Sequence, residues 1–150
     1  MLFRERLHVP LRWWVQGTML VASVWLAFVV ALPAAVAWLL TAVVGGSAVA
    51  LFLGYGAATV RVEDGWFQAG RARIPVRLLS DPTALDAEQA RRWAGVDADA
   101  RAHLLLRPYT GTAVKVAVVD PADPTPYWLV STRRPEELAR ALTAASAEAS

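Results

Sequence analysis

The sequence predicts a transmembrane hairpin of two α-helices followed by a small α+β domain of mostly antiparallel strands. Residues 13–60 contain no Asp, Glu, Lys or Arg over 48 positions, about twice the roughly 20 residues that one helix needs to cross a bilayer. From Thr59 onward, apolar and polar side chains alternate, as is typical of half-buried strands. The expected organisation is a cytoplasmic interfacial segment at 1–12, the hairpin at 13–55 and a cytoplasmic domain at 57–150.

The hairpin divides at Leu32-Pro33, leaving 19 uncharged residues at 13–31 and 22 at 34–55. At about 1.5 Å per residue, helices of these lengths span roughly 28 and 33 Å, each enough for one crossing. Pro33 lacks an N–H and therefore suits the first turn of the second helix.

Small residues recur every four positions on both predicted helices. Such residues let two helices approach closely in a membrane. We expect them to pack the hairpin together, with a dimer contact as the alternative: Ser23, Ala27 and Ala31 on the first helix, and Gly46, Ala50 and Gly54 on the second.

Basic residues flank the hairpin: Arg4, Arg6 and Arg12 precede it, and Arg61, Arg71, Arg73 and Arg77 follow it. The tip is uncharged, so the positive-inside rule predicts a multi-pass plasma-membrane protein with both termini, Met1 and Ser150, in the cytoplasm. A cleaved signal peptide is the alternative, because Ala35-Val36-Ala37 resembles a cleavage site. The apolar segment, however, exceeds the 7–15 residues usual for a signal core.

Residues 1–12 form a short amphipathic segment in which Leu2, Phe3 and Leu7 alternate with arginines. We expect this segment to lie at the cytoplasmic membrane interface.

The domain begins with a predicted hairpin. Thr59–Glu63 is a strand, Asp64-Gly65 is a two-residue turn, and Trp66–Ala69 is the returning strand. A third strand at 71–78 carries arginines on one face, with Pro75 marking an edge, and ends at Ser80-Asp81-Pro82.

Two helices and three more strands follow. Asp86 and Gln89 form a capping box for a helix that Gly95 ends. Strands are expected at 103–107, 112–119 and 127–131. Thr132 is predicted to cap a C-terminal helix with an apolar stripe of Leu138, Ala141, Leu142 and Ala145. This order suggests a partly open barrel or sandwich closed by the terminal helix, similar to pleckstrin-homology-like domains, an analogy that carries no function by itself.

Composition excludes several kinds of chemistry. Residues 57–150 hold 12 basic and 12 acidic side chains, so no general affinity for nucleic acid is implied. Cysteine is absent, which excludes disulfides and thiolate catalysis. His8 and His103 lack metal-ligand spacing, and Asp120 and Asp123 lie in a proline-rich turn that explains them. We predict no catalytic residue, metal or cofactor.

Two groups of side chains are candidate contact surfaces. Arg71, Arg73 and Arg77 alternate near the predicted membrane and would touch anionic lipid headgroups, unless they form an ordinary solvated face. Tyr127 and Trp128 with Arg133 and Arg134 would form a partner surface, although aromatic residues on a strand more commonly belong to the core.

Three segments resemble a family of small actinobacterial membrane proteins, the domain of unknown function numbered 3093. They are Phe3–Leu7 with Trp13-Trp14, then Ala69–Val76, then Asp120–Leu138. The resemblance implies a two-helix membrane protein with a cytoplasmic pleckstrin-homology-like domain, and it transfers no catalytic residue.

Three hypotheses for function follow. The first is a membrane-anchored, non-catalytic binding module for a lipid or protein partner. The second is an accessory subunit of a larger membrane complex, with the small-residue faces as its contact or as a homodimer contact. The third, an enzyme, is the least favoured because the sequence offers no acid–base–nucleophile set.

Overall fold

A computed structural model describes residues 2–149 of the protein, which divide into two compact units. One unit is formed by residues 8–57. The other joins the N-terminal residues, up to Leu7, to everything from Ala58 onward. Met1 and Ser150, to which the prediction of cytoplasmic termini refers, lie outside the described residues.

The unit of residues 8–57 is a helical hairpin. Helix α1 (Leu11–Ala31) and helix α2 (Ala34–Tyr55) are joined by Leu32 and Pro33 alone. Both are long and apolar enough to cross a membrane. Helix α1 has no buried residue, and Ala37 is the one buried residue of α2.

The other unit contains two four-stranded sheets. The first has the order β1-β2-β3-β4, with strands β1 (Phe3–Arg6), β2 (Thr59–Glu63), β3 (Trp66–Ala69) and β4 (Ala72–Pro75), and every pairing is antiparallel. The β2–β3 turn is at Asp64 and Gly65, with φ of 50° and 74°, as the Asp-Gly pair predicts. Pro75 lies on an edge strand, again as predicted.

The second sheet has the order β5-β7-β8-β6. Its strands are β5 (Leu79–Leu85), β6 (His103–Leu105), β7 (Ala113–Val118) and β8 (Tyr127–Ser131). Strand β6 runs parallel to β8, the one parallel pairing among the described strands. The prediction that Ser80-Asp81-Pro82 ends a strand is wrong, because these residues lie within β5. The register of β5 against β7 shifts between Ser80 and Thr83, and Asp81 takes a φ of 51° at this bulge.

Helix α3 (Ala87–Ala94) begins with the predicted capping box of Asp86 and Gln89 and ends at Gly95. Helix α4 (Pro135–Glu148) buries the four residues of its predicted stripe, Leu138, Ala141, Leu142 and Ala145. The N-cap of α4 is Arg134 and not Thr132, because the Thr132 side chain is turned inward and fully buried. The main core joins both sheets to α4 and includes Val62, Phe67, Val116, Trp128 and Leu138.

The N-terminal segment differs most from expectation. Residues 3–6 were expected to be part of an interfacial amphipathic segment, but they form β1, which pairs with β2 from Phe3 opposite Val62 to Arg6 opposite Thr59. Phe3, Glu5 and Leu7 are buried while Arg4 and Arg6 are exposed. The alternation that suggested an amphipathic segment is therefore that of a strand, and the β domain contains residues on both sides of the hairpin.

Candidate functional site

The outer face of the first sheet carries a row of basic side chains. Strand alternation turns Val60, Val62 and Phe67 into the core and leaves the intervening residues outside. The register places one outward residue of each strand directly beside the next. The result is a cross-strand row, here called the arginine row: Arg4 on β1, Arg61 on β2, Gln68 on β3 and Arg73 on β4.

Neighbouring side chains hold parts of this row in place. The Arg73 guanidinium carbon lies 4.1 Å from the centre of the Trp66 ring, within the range of a cation–π contact. The Gln68 side-chain Nε2 donates a hydrogen bond of 3.0 Å to the Gly70 carbonyl. A shallow concavity of about 170 Å³ opens here, lined by Arg61, Glu63, Asp64, Trp66, Gln68 and Arg73.

Charge is graded along this face. Acidic residues lie on the side of the arginine row that faces the β2–β3 turn. Glu63 is there, opposite Trp66, and Asp64 lies in the turn itself. On the other side lies Arg6, opposite Thr59. Positive charge is therefore concentrated at the end of the sheet where the chain leaves for α1 and returns from α2.

The structure separates the three arginines predicted to contact headgroups. Only Arg73 lies on β4; Arg71 is in the turn before it, and Arg77 is in a short 3₁₀ helix, Val76–Leu78, because the expected strand at 71–78 ends at Pro75. The common face predicted for Arg71, Arg73 and Arg77 is therefore wrong. Arg4 and Arg61 were missed, since pairing them requires the register between two strands separated by the whole hairpin.

Of the predicted partner surface, the two aromatic residues are core residues. The Tyr127 hydroxyl accepts a hydrogen bond of 2.9 Å from the Asp99 N–H, and its ring meets Trp93 edge-on at 5.4 Å. Trp128 packs against Phe67 with ring centres 5.7 Å apart. Both are 6% exposed, so they present no surface to a partner.

Arg133 and Arg134 are exposed and lie where β8 turns into α4, beside β1. Here the buried Glu5 carboxylate accepts hydrogen bonds from the Thr132 hydroxyl and, at 3.1 Å, from the Arg133 N–H. Arg134 donates to the Arg4 carbonyl at 2.8 Å and pairs with Glu137 at 3.1 Å. This junction, here called the Glu5 latch, fastens the N-terminal strand to the end of the domain.

His103 and the acidic turn residues have structural surroundings. The His103 ring lies 4.4 Å from that of Trp128, its Nε2 is buried without a hydrogen-bond partner among the described residues, and burial lowers its pKa below 6.5. Asp120 and Asp123 accept backbone hydrogen bonds of 2.9 Å from Ala122 and Thr125, as the turn prediction requires. Within residues 2–149, no three His, Asp or Glu side chains gather as a metal site would need.

The two helices do not pack through the predicted small-residue faces. Gly17 and Gly45 lie between the helices, where an added Cβ would lie 3.0 Å from the Phe52 ring and 3.6 Å from Val21. At Gly46 and Gly54 nothing lies within 4 Å. All six predicted packing residues are exposed: Ser23, Ala27, Ala31, Gly46, Ala50 and Gly54. A four-residue period identifies a face, but it does not tell which face meets the other helix.

The fold defines the class of protein: a two-sheet domain with a long apolar helical hairpin inserted between its first two strands. Residues 2–142 match the model of a family described as proteins of unknown function, DUF3093. The match covers most of the chain, so the protein belongs to this family. No curated protein and no solved structure matches it.

Proposed function

We propose that the protein is a membrane-anchored, non-catalytic binding module whose β domain lies at the cytoplasmic face of the plasma membrane. The observation that carries the proposal is the pairing of β1 with β2. Leu7, just before the hairpin, donates a hydrogen bond of 2.9 Å to the Ala58 carbonyl, just after it. A chain that leaves and re-enters one sheet at the same place must cross the membrane an even number of times.

The surface of the hairpin supports membrane insertion. Large apolar side chains such as Leu20, Val30, Leu39 and Leu53 are 62–81% exposed, and so much apolar surface is unfavourable in water. The four Ser and Thr hydroxyls of the helices donate to carbonyls four residues earlier at 2.8–2.9 Å: Thr18, Ser23, Thr41 and Ser47. These polar groups therefore need no water within the bilayer.

The arginines on both flanks and the uncharged tip favour the cytoplasm for the domain under the positive-inside rule. Retention of the first helix is supported by β1 itself. Cleavage near Ala35-Val36-Ala37 would remove Phe3, Glu5 and Leu7 from the core of the domain. A cleaved signal peptide is therefore the weaker explanation of the apolar N-terminus.

Two four-stranded sheets and a C-terminal helix packed into their core support the likeness to a pleckstrin-homology-like domain. The partners that we propose are anionic lipid headgroups at the basic face and a protein partner.

Purification from native membranes in mild detergent tests this function. A binding module should be recovered without a stoichiometric membrane subunit and should remain in the membrane fraction after an alkaline wash. Release of the chain by that wash would overturn the anchoring.

One observation favours the second candidate, an accessory subunit of a larger membrane complex. The small residues at Gly46, Ala50 and Gly54 face away from α1, and a face of this kind suits a helix of another chain or of a second copy. In this case a stoichiometric partner should co-purify, and Gly46→Leu with Ala50→Leu should remove it while leaving the β domain folded.

A further inference from the structure

We propose that the arginine row of Arg4, Arg61, Gln68 and Arg73 binds the oxygen atoms of a single phosphate group. This inference rests on the proposed function, because it assigns a ligand to the basic face of the anchored domain. It replaces the expected set of Arg71, Arg73 and Arg77 with residues that the sheet places side by side.

The first argument is the unfavourable pairing of like charges. Arg4 lies directly opposite Arg61 in the β1–β2 ladder, and like charges in directly opposed positions destabilise a sheet. Arg4, Arg61 and Arg73 form no ion pair with any residue from 2 to 149. A bound oxyanion would convert this repulsion into attraction.

The second argument is an unused donor. The Nε of Arg61 is buried and has no hydrogen-bond partner among the described residues. A buried donor without a partner is unfavourable by about 1–3 kcal/mol, so such atoms are rare in native proteins. The atom belongs to a planar guanidinium fork, the group whose geometry matches the paired oxygens of a phosphate.

The third argument is preorganisation. Arg73 is already held over the Trp66 ring, and the Gln68 amide is already oriented by the Gly70 carbonyl. Since fewer rotatable bonds must be ordered when the ligand arrives, a row fixed in this way binds more favourably than free surface arginines.

The acids beside the row limit the ligand. Glu63 and Asp64 line the same concavity as Arg61 and Arg73, so a long polyanion lying across the face would meet repulsion at the turn. A single phosphate group on a molecule that is otherwise neutral or cationic fits this distribution of charges better than nucleic acid does. A lipid headgroup and free phosphate both supply this chemistry.

The two sources can be separated with the full chain. In maltoside micelles, which contain no phosphate, inorganic phosphate is titrated against chloride at constant ionic strength. NMR follows the Arg61 Nε–H and the Trp66 indole N–H, the latter assigned with Trp66→Phe. Saturable shifts of both signals are expected. In phosphatidylglycerol nanodiscs without added phosphate, the same shifts identify the headgroup as the source, and their absence identifies free phosphate.

Matched variants test the residues. Arg61→Gln with Arg73→Gln should weaken binding about tenfold or more, the effect of losing one charge-assisted hydrogen bond. Arg71→Gln with Arg77→Gln removes the same charge from nearby residues outside the row and should leave the affinity unchanged. The same spectra report whether each variant is folded.

Equal loss of binding in the two pairs of variants would overturn the assignment. So would the absence of the shifts under both conditions, that is, with inorganic phosphate in micelles and with phosphatidylglycerol in nanodiscs. That failure differs from a failure of the proposed function, which would appear as a chain released from membranes by an alkaline wash whatever the row binds.

Discussion

The carboxylate of Glu5 and the hydroxyl of Thr132 are hydrogen-bonded across 127 positions of sequence, in the interior of the domain. Glu5 is 7% exposed and Thr132 is fully buried. Tyr109 reinforces the junction by donating to the Leu7 carbonyl at 3.1 Å. The few residues that precede the helical hairpin are thus part of the core of a domain whose other elements follow it.

Glu5→Ala should lower the free energy of unfolding by about 1–3 kcal/mol, because the Thr132 hydroxyl and the Arg133 N–H lose their acceptor in a buried place. Urea unfolding of the full chain in micelles, followed by near-UV circular dichroism, measures the loss. Glu148→Ala removes an exposed acid near the end of α4 and serves as the control. Equal midpoints for the two variants would mean that the latch contributes nothing.

Leu138 and Leu142 dock α4 onto the sheets and are 0% and 1% exposed. Changing each to Ala should cost about 2–5 kcal/mol, so the double variant should be largely unfolded. Leu104→Ala, at a leucine 40% exposed, is the matched control and should unfold close to the parent. A cooperative transition of parental stability in the double variant would exclude α4 from the core.

His103 should make stability depend on pH. Burial lowers its folded pKa below the ordinary value of 6.5, so protonation favours the unfolded chain. The contribution of neutral His103 to the free energy of unfolding should be fully present above about pH 6.5. It should decrease as the pH falls from about 6.5 to the folded pKa, and below the folded pKa His103 should add no further pH dependence. His103→Phe keeps a ring beside Trp128 and should remove this part of the slope in unfolding midpoints. An identical slope in parent and variant would rule His103 out.

Helix packing in the hairpin can be tested with introduced cysteines, since the native chain has none. Val21→Cys with Gly45→Cys should oxidise to a disulfide, because the Cβ position of residue 45 lies 3.6 Å from the Val21 side chain. Val21→Cys with Gly46→Cys should stay reduced, since nothing lies within 4 Å of the Cβ position at 46. Peptide mass spectrometry distinguishes the oxidised from the reduced pair. A disulfide between residues 21 and 46, with none between 21 and 45, would mean that the helices pack through the face of Gly46, Ala50 and Gly54.

Local chemistry allowed much of the fold to be predicted. The Asp64-Gly65 turn, the Asp86–Gln89 capping box and the buried stripe of α4 depend on residues close in sequence, and the structure confirms all three. Strand β1 was not recognised, because four alternating residues before an apolar helix also suit a membrane interface. Its partner, β2, lies beyond the entire hairpin.

The candidate site depends on the same long-range pairing. Only the β1–β2 register brings Arg4 beside Arg61, and only the end of β4 at Pro75 separates Arg77 from Arg73. Strand alternation in sequence identified the outward side of each strand, but it gave no information on which strands are neighbours. The prediction of the helix-packing faces was wrong for a related reason. Gly45 and Gly46 are adjacent in sequence, but only Gly45 lies against α1.

The central claim, a membrane hairpin with both flanks on the cytoplasmic side, is tested most directly by labelling single cysteines in intact cells with a membrane-impermeant maleimide. Suitable exposed positions are Leu2 before the hairpin, Leu32 at its tip and Val119 in the domain. The cysteine at Leu32 should react in intact cells, whereas those at Leu2 and Val119 should react only after permeabilisation. Labelling of the cysteine at Leu2 or Val119 from outside intact cells would contradict the account.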